Sequence, residues 1–140
     1  MTPHVVDASV VIKWFVDEVR AEAARCLQED QHQLFAPDLL WSECGNILWK
    51  KVRRGELTPD EARLIRGGIE QQPISTFPSR SLLDLALEIA LDADRTVYDS
   101  CYLAAALLVG CQLVMADRKL FNALQGGSYA THVCWVVDLP

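Results

Sequence analysis

The chain has 140 residues, 51% of them hydrophobic, with 13 basic and 19 acidic side chains and a formal net charge of −6. That length fits one domain, residues 1–140, with enough chain for a core, and the apolar share excludes a disordered segment. The acidic balance works against nucleic-acid binding through bulk counterion release, so any such role needs a local basic strip or metal ions that reverse the sign of the site.

Cys26, Cys44, Cys101, Cys111 and Cys134 are odd in number and widely spaced, with no CxxC. They read as buried free thiols of a reducing cytosol rather than a disulfide framework or a zinc site. His4, His32 and His132 lie far apart in sequence. The N-terminus lacks a signal-peptide pattern and no apolar run reaches membrane-span length, so a cytoplasmic protein with no membrane association is expected.

Val5 and Val6 centre a short first strand over residues 4–8, closed by Asp7 and Ser9, and helical turns follow from Val10. Residues 20–29 have helix formers in helical periodicity. Residues 33–36 read as a second strand stopped by Pro37. Asp38 is then a suitable N-cap for a long helix with Leu39, Leu40, Cys44, Ile47, Leu48 and Val52 on its apolar side, ended by Gly55. Thr58, Pro59 and Glu61 make a capping-box signature for a helix running to about Gln72. Residues 74–77 read as a third strand, and a helix starting at Ser81 or Asp84 runs to residue 93. The helix that follows is apolar nearly all round from Tyr102 to Val109, so it should be covered on most sides. Gly110 suits a left-handed turn, and residues 113–116 form a continuous apolar run, as in a central parallel strand. A helix over 119–125 ends at Gly126 and Gly127, and residues 132–139 form a last strand. Strands alternating with helices predict an α/β fold of three layers, α/β/α, with a central, mostly parallel sheet of about four to five short strands.

Four carboxylates interrupt apolar surroundings: Asp7 at a strand end, Glu43 among Leu39, Leu40, Trp41 and Cys44, Asp99 at a helix start, and Asp117 past the run Leu113 to Ala116. If the helix before Gly110 and the strand after it are antiparallel neighbours, Asp99 and Asp117 share the carboxyl edge of the sheet, where open α/β sheets place their sites. Acids crowded on the rim of a core repel one another unless a cation joins them. Oxygen-only ligands select a hard ion such as Mg²⁺ or Mn²⁺, and that ion suits phosphodiester hydrolysis. Each acid also has a plain structural reading. Asp7 and Asp117 suit helix caps, and Asp99 a first-turn carboxylate favoured by the helix dipole. Capping and metal binding are compatible.

The stretches VVDASVVIKWF, LLWSECGNILWK, TVYDSCYLAAAL and LVMADRKLFNAL resemble, in order and spacing, the four acidic motifs of PIN-domain ribonucleases, nearest to the VapC-type toxins of toxin–antitoxin pairs. The resemblance covers nearly the whole chain. It implies a PIN-like parallel sheet flanked by helices and a Mg²⁺-dependent endoribonuclease, with Mn²⁺ as a substitute, that leaves 5′-phosphate and 3′-hydroxyl ends on RNA. It also implies a homodimer and a cognate antitoxin protein. Asp7, Glu43, Asp99 and Asp117 match the catalytic acids, with Asp7, Asp99 and Asp117 as metal ligands. Ser9 matches a polar residue two positions after the first acid, and Asn46 an Asn one turn after the glutamate. Met115 departs from the Thr or Ser of many relatives, which removes a supporting hydrogen bond near Asp117.

Two rival classes stay open. A phosphoacceptor domain also places aspartates at strand ends, but Asp7-Ala8-Ser9 lacks the second aspartate of the dehalogenase type, and no Lys fits the receiver type clearly. A PIN-like module without catalysis, serving only to bind a partner, is the other. The strip Lys50, Lys51, Arg53 and Arg54 is the main basic counterweight, either to RNA phosphates or to its own helix dipole. Arg118 and Lys119 adjoin Asp117. Trp14, Phe15, Trp41 and Trp49 are candidates for a partner groove or for core.

Overall fold

The computed structural model of the protein describes residues 1–29 and 31–139. In chain order the elements are β1 (Thr2–Val6), α1 (Ala8–Ile12), α2 (Ala21–Arg25), β2 (His32–Pro37), α3 (Leu39–Arg53) and α4 (Pro59–Glu70). Then come β3 (Ile74–Phe77), α5 (Ser79–Ala93), α6 (Val97–Val109), β4 (Gln112–Met115), α7 (Arg118–Gln125) and β5 (Val133–Trp135). All strand pairings are parallel, in the order β3-β2-β1-β4-β5.

That order has one consequence for function. The chain builds outward from β1 to β2 and β3, then returns to lay β4 on the other side of β1. The direction of winding reverses between β1 and β4, and a crevice opens there at the carboxyl ends of the strands. Val5, Val6, Leu113, Val114 and Met115 of these two strands are all at most 2% exposed. Consecutive buried residues mean both faces of the strands are covered, as central parallel strands require. α6 lies across β1, β2 and β4 with α5 packed on it, while α1 packs on α3 and β4. Its residues from Ser100 to Ala106 are all buried. The expected all-round coverage of this helix therefore holds from Ser100, although Leu108 stays exposed. Gly110 ends it with φ +77, a left-handed cap that only Gly adopts readily.

The capping box forms as expected, with Thr58 and Glu61 each accepting the other's backbone N–H. Gly68 in the middle of α4 has a packing reason, since a Cβ there would lie 2.7 Å from the Phe15 ring. Asp38 behaves differently from expectation. Its backbone is already helical and its side chain caps nothing in α3. Instead its Oδ1 accepts from the Ser79 N–H at 3.1 Å and from Ser79 Oγ, tying the start of α3 to the start of α5. This borrowed cap lets α5 begin at Ser79, ahead of the predicted Ser81 or Asp84. The predicted strand over 132–139 is also shorter. β5 pairs only along Leu113 to Met115 of β4, and beyond Trp135 the chain turns so that Val136 enters the core.

Asp38→Ala should lower stability by about 1–2 kcal/mol, because it orphans the first N–H of α5. Urea denaturation checks this, and the carboxylate cleft described next should keep its function.

Candidate active site

The sheet places Asp7 directly after β1 and Asp117 directly beyond β4, one on each side of the crevice. Asp99 enters from the first turn of α6 and Glu43 from α3. All four line one cleft of about 170 Å³, with Ser9, Tyr102 and Met115 among its other walls. No Lys, Arg or His stands among the described residues that line it. Four acids from four elements thus face one space, and the protein cation that acts on one of them, Arg95 on Asp99, stands outside the lining.

Hydrogen bonds hold three of the acids by their carboxylates and Asp99 by its backbone. Asp7 Oδ1 accepts from Ser9 Oγ at 2.7 Å and from the Val10 N–H at 3.0 Å. Asp117 Oδ1 accepts from the Leu120 N–H at 3.2 Å. Both aspartates are therefore N-caps, of α1 and α7, and both also face the cleft. In each case one oxygen serves the helix, and the other has no hydrogen-bond partner among the described residues. Asp99 is the third residue of α6, where Thr96 caps its N–H at 3.0 Å. Glu43 Oε1 accepts from the Tyr102 hydroxyl at 2.5 Å.

Electrostatics follow from this crowding. Burial, with the charges of Glu43 and Asp117 adding to it, pushes the Asp7 carboxyl up to about 6, against the pull of its bonds to Ser9 and Val10. Burial also raises Glu43, partly offset by Tyr102, and the Asp99 charge adds to the rise. Burial raises Asp99 and the Asp117 charge adds to the rise, partly offset by the Thr96 hydroxyl and the Arg95 charge. Burial and the Glu43 carboxylate hold the Tyr102 phenol protonated, so it stays a donor. The Cys44 thiol is pushed up to about 12 by burial and by Asp7 and Glu43, so it is a neutral thiol near neutrality.

The donor set is all oxygen, which suits a hard divalent cation. Among the described residues no three His, Cys, Asp or Glu side chains close into a ready-made cage, so the acids line an open cleft. A small hard ion that keeps several waters needs only one or two direct carboxylates, and the cleft fits that demand.

Tyr102 is the site residue that sequence reasoning missed, because it reads there as part of an apolar run. Its position three residues after Asp99, on the same helix face, was the available signal. Asn46 is exposed, lies outside the cleft and, among the described residues, makes no side-chain hydrogen bond to Glu43. Met115 is fully buried in the cleft wall. Of the basic strip, Lys51 is taken by Glu18 at 2.9 Å and Glu56 at 3.9 Å, and Arg53 lies over Trp49. Trp14 is core, with its indole N–H donated to Ala24 O at 2.7 Å; Phe15 and Trp41 are half-buried and Trp49 is exposed. His4 and His32, distant in sequence, are buried neighbours with rings 5.0 Å apart. All five cysteines are free, as expected, but against the expectation of buried thiols only Cys44 and Cys101 are buried, and Cys26 is exposed.

A parallel α/β sheet with an acidic cleft at its winding reversal defines a class, and this chain falls within it: the PIN domain family matches residues 4–126, and the chain belongs to that family. PIN-domain nucleases of the VapC kind are generally metal-dependent. Ribonuclease VapC3 of Pyrobaculum aerophilum is 35% identical over 118 residues, spanning 83% of this chain and 90% of that protein. A second protein of Pyrobaculum aerophilum, known from its crystal structure, superposes with a TM-score of 0.68 at 24% identity, covering 96% of this chain and 84% of the other. A toxin–antitoxin complex from Klebsiella pneumoniae superposes with a TM-score of 0.63 at 14% identity, covering 97% and 99%. The sarcin–ricin loop cleaving toxin VapC20 of Mycobacterium tuberculosis gives 0.60 at 16% identity, covering 78% and 85%. At these identities the three structures establish the common fold.

The raised Asp7 carboxyl makes a signed prediction. Between the ordinary value of 3.8 and about 6 the folded protein holds a proton that the unfolded chain releases, so stability falls as pH rises through that window. Asp7→Asn should remove this loss while keeping an acceptor for Ser9 and Val10. Thermal melts in EDTA should show the variant gaining on the wild type from pH 4 to pH 7, by up to about 3 kcal/mol. Equal melting temperatures at both ends would contradict it.

Proposed function

We propose that this protein is a Mg²⁺-dependent endoribonuclease, with Mn²⁺ able to substitute, acting as the toxin of a type II toxin–antitoxin pair. The observation that carries the reading is the convergence of Asp7, Glu43, Asp99 and Asp117 on one cleft with no protein cation among its described lining residues. Kinship with a ribonuclease of the VapC group supports RNA as the substrate. The phosphoacceptor alternative is set aside by membership of the PIN family.

In this reading Asp7, Asp99 and Asp117 supply the ligand oxygens. Held by those oxygens, a divalent ion would supply charge to neutralise the scissile phosphate and would lower the pKa of an attacking water. Glu43, held in place by the Tyr102 hydroxyl, orients that water and accepts its proton. The water oxygen attacks phosphorus in line, and the bond from phosphorus to the 3′ oxygen breaks. The departing 3′ oxygen takes up a proton from bulk water, and Glu43 later returns its own to solvent, leaving 5′-phosphate and 3′-hydroxyl ends. Ser9 keeps Asp7 oriented by donating its hydroxyl to that carboxylate.

Asp7→Asn and Asp99→Asn should each abolish cleavage of RNA, and EDTA should do the same to the wild type. Sequencing of cellular RNA ends after expression of wild type beside Asp7→Asn is the direct measurement. Cleavage that persists in the purified double variant would refute the mechanism.

The partners follow the same kinship. Likeness to a toxin–antitoxin complex supports a cognate antitoxin protein. Among the described residues no helix is long and apolar enough to cross a membrane, and the five thiols are free; we place the protein in the cytoplasm. For the homodimer, α5 offers a stripe of Leu83, Leu87 and Leu91, exposed by 54%, 45% and 72%, beside Tyr98 at 69%. Two copies crossing antiparallel at Leu87 set Leu83 of each against Leu91 of the other, and Arg80 against Asp94. Light scattering should find a dimer for the wild type and a monomer for Leu87→Asp, with the melting temperature of the variant monomer little changed. A wild type that stays monomeric at high concentration would remove this interface.

A further inference from the structure

Arg20 and Arg118 come from the starts of α2 and α7, almost a hundred residues apart, yet their guanidinium groups gather over one indole. Arg118 lies 3.9 Å and Arg20 5.0 Å from the centroid of Trp135, whose own residue is 4% exposed. Phe121 packs against the same indole, with ring centroids 5.5 Å apart. Arg20 holds a left-handed backbone at φ 66, an unfavourable conformation for a side-chain-bearing residue. Among the described residues neither arginine is ion-paired. Lys13, Lys51, Arg63 and Arg66, by contrast, are all spent on carboxylates.

The placement relative to the cleft is direct. Arg118 follows Asp117, which lines the cleft, and Trp135 pairs in register with Met115, which also lines it. The two guanidiniums therefore stand at the carboxyl edge of the sheet, on the β5 side of the acids. We propose that Arg20 and Arg118, held over Trp135, form a seat for a backbone phosphate of the RNA next to the one being cut. This rests on the nuclease reading above.

The chemistry matches a phosphodiester. A guanidinium held over a ring by its charge does not use its N–H donors for that contact. Those donors fit phosphate oxygens in a forked geometry that an ammonium does not reproduce. The ring also restricts both side chains in advance, which lowers the entropic cost of binding. A polyanion that must enter a cleft of four acids needs such a positive foothold beside it, all the more in a chain of net charge −6.

The test uses Asp7→Asn protein, so that a short single-stranded oligoribonucleotide stays intact while its affinity is read by fluorescence polarisation across KCl concentrations. Arg20→Gln and Arg118→Gln should each reduce the slope of log K against log salt by about 0.7, and the pair by about 1.4. Arg118→Lys should keep the slope but lose affinity, because the charge stays while the fork is gone. In the active background the double Gln variant should raise KM while kcat changes little, with an unchanged thermal melt. A wild type that cuts RNA while the double variant keeps both slope and KM overturns this seat alone. A wild type that neither binds nor cuts RNA overturns the nuclease reading along with it.

Discussion

Like charges forced into one crevice govern this molecule. β1 and β4 are buried on both faces, so a polar side chain that follows them can only emerge at the mouth of the sheet, where the winding reverses. Asp7 and Asp117 emerge there, and α6 and α3 bring Asp99 and Glu43 to meet them. Repulsion and desolvation work against this arrangement, as the raised Asp7 carboxyl records. A site that weakens the fold in the absence of its ligand is a common trade between stability and activity.

What keeps the acids in place is economical. Asp7 and Asp117 each use one oxygen to cap the helix they begin, so capping and site-building are the same act. Ser9 adds a second anchor to Asp7, and Tyr102 anchors Glu43 across two helices. Farther out, Asp38 lends its carboxylate to Ser79 and couples the starts of α3 and α5. The cleft is thus supported by local caps at Asp7 and Asp117 and by a long-range bond between helices at Glu43.

The charge distribution resolves the tension between an acidic chain and a polyanionic substrate. Negative charge is concentrated where an oxygen-loving cation suits it. Much of the basic strip on α3 is held by neighbours: Lys51 by glutamates, Arg53 by Trp49. Two guanidiniums without an ion pair among the described residues, those of Arg20 and Arg118, stand on Trp135, at the edge strand. Bulk charge therefore says little about what the working edge attracts, because the field near a surface depends on local arrangement.

The sequence by itself determined the strand and helix alternation, the capping box at Thr58, the left-handed turn at Gly110 and the four acids as the residues out of keeping with their surroundings. These are local signals: period, turn chemistry and a charge set among apolar neighbours. Tertiary structure alone decided the role of Asp38, since its partner Ser79 lies 41 positions away. It likewise decided the short β5, whose length is set by how much of β4 remains to pair, and the meeting of His4 with His32. Tyr102 hid in an apolar run because its hydroxyl finds meaning only opposite Glu43, and Arg20 meets Arg118 only because both helices start over Trp135. The physical reason is common to all of these: a hydrogen bond or a charge pair depends on distance in space, and a linear pattern reports only neighbours along the chain.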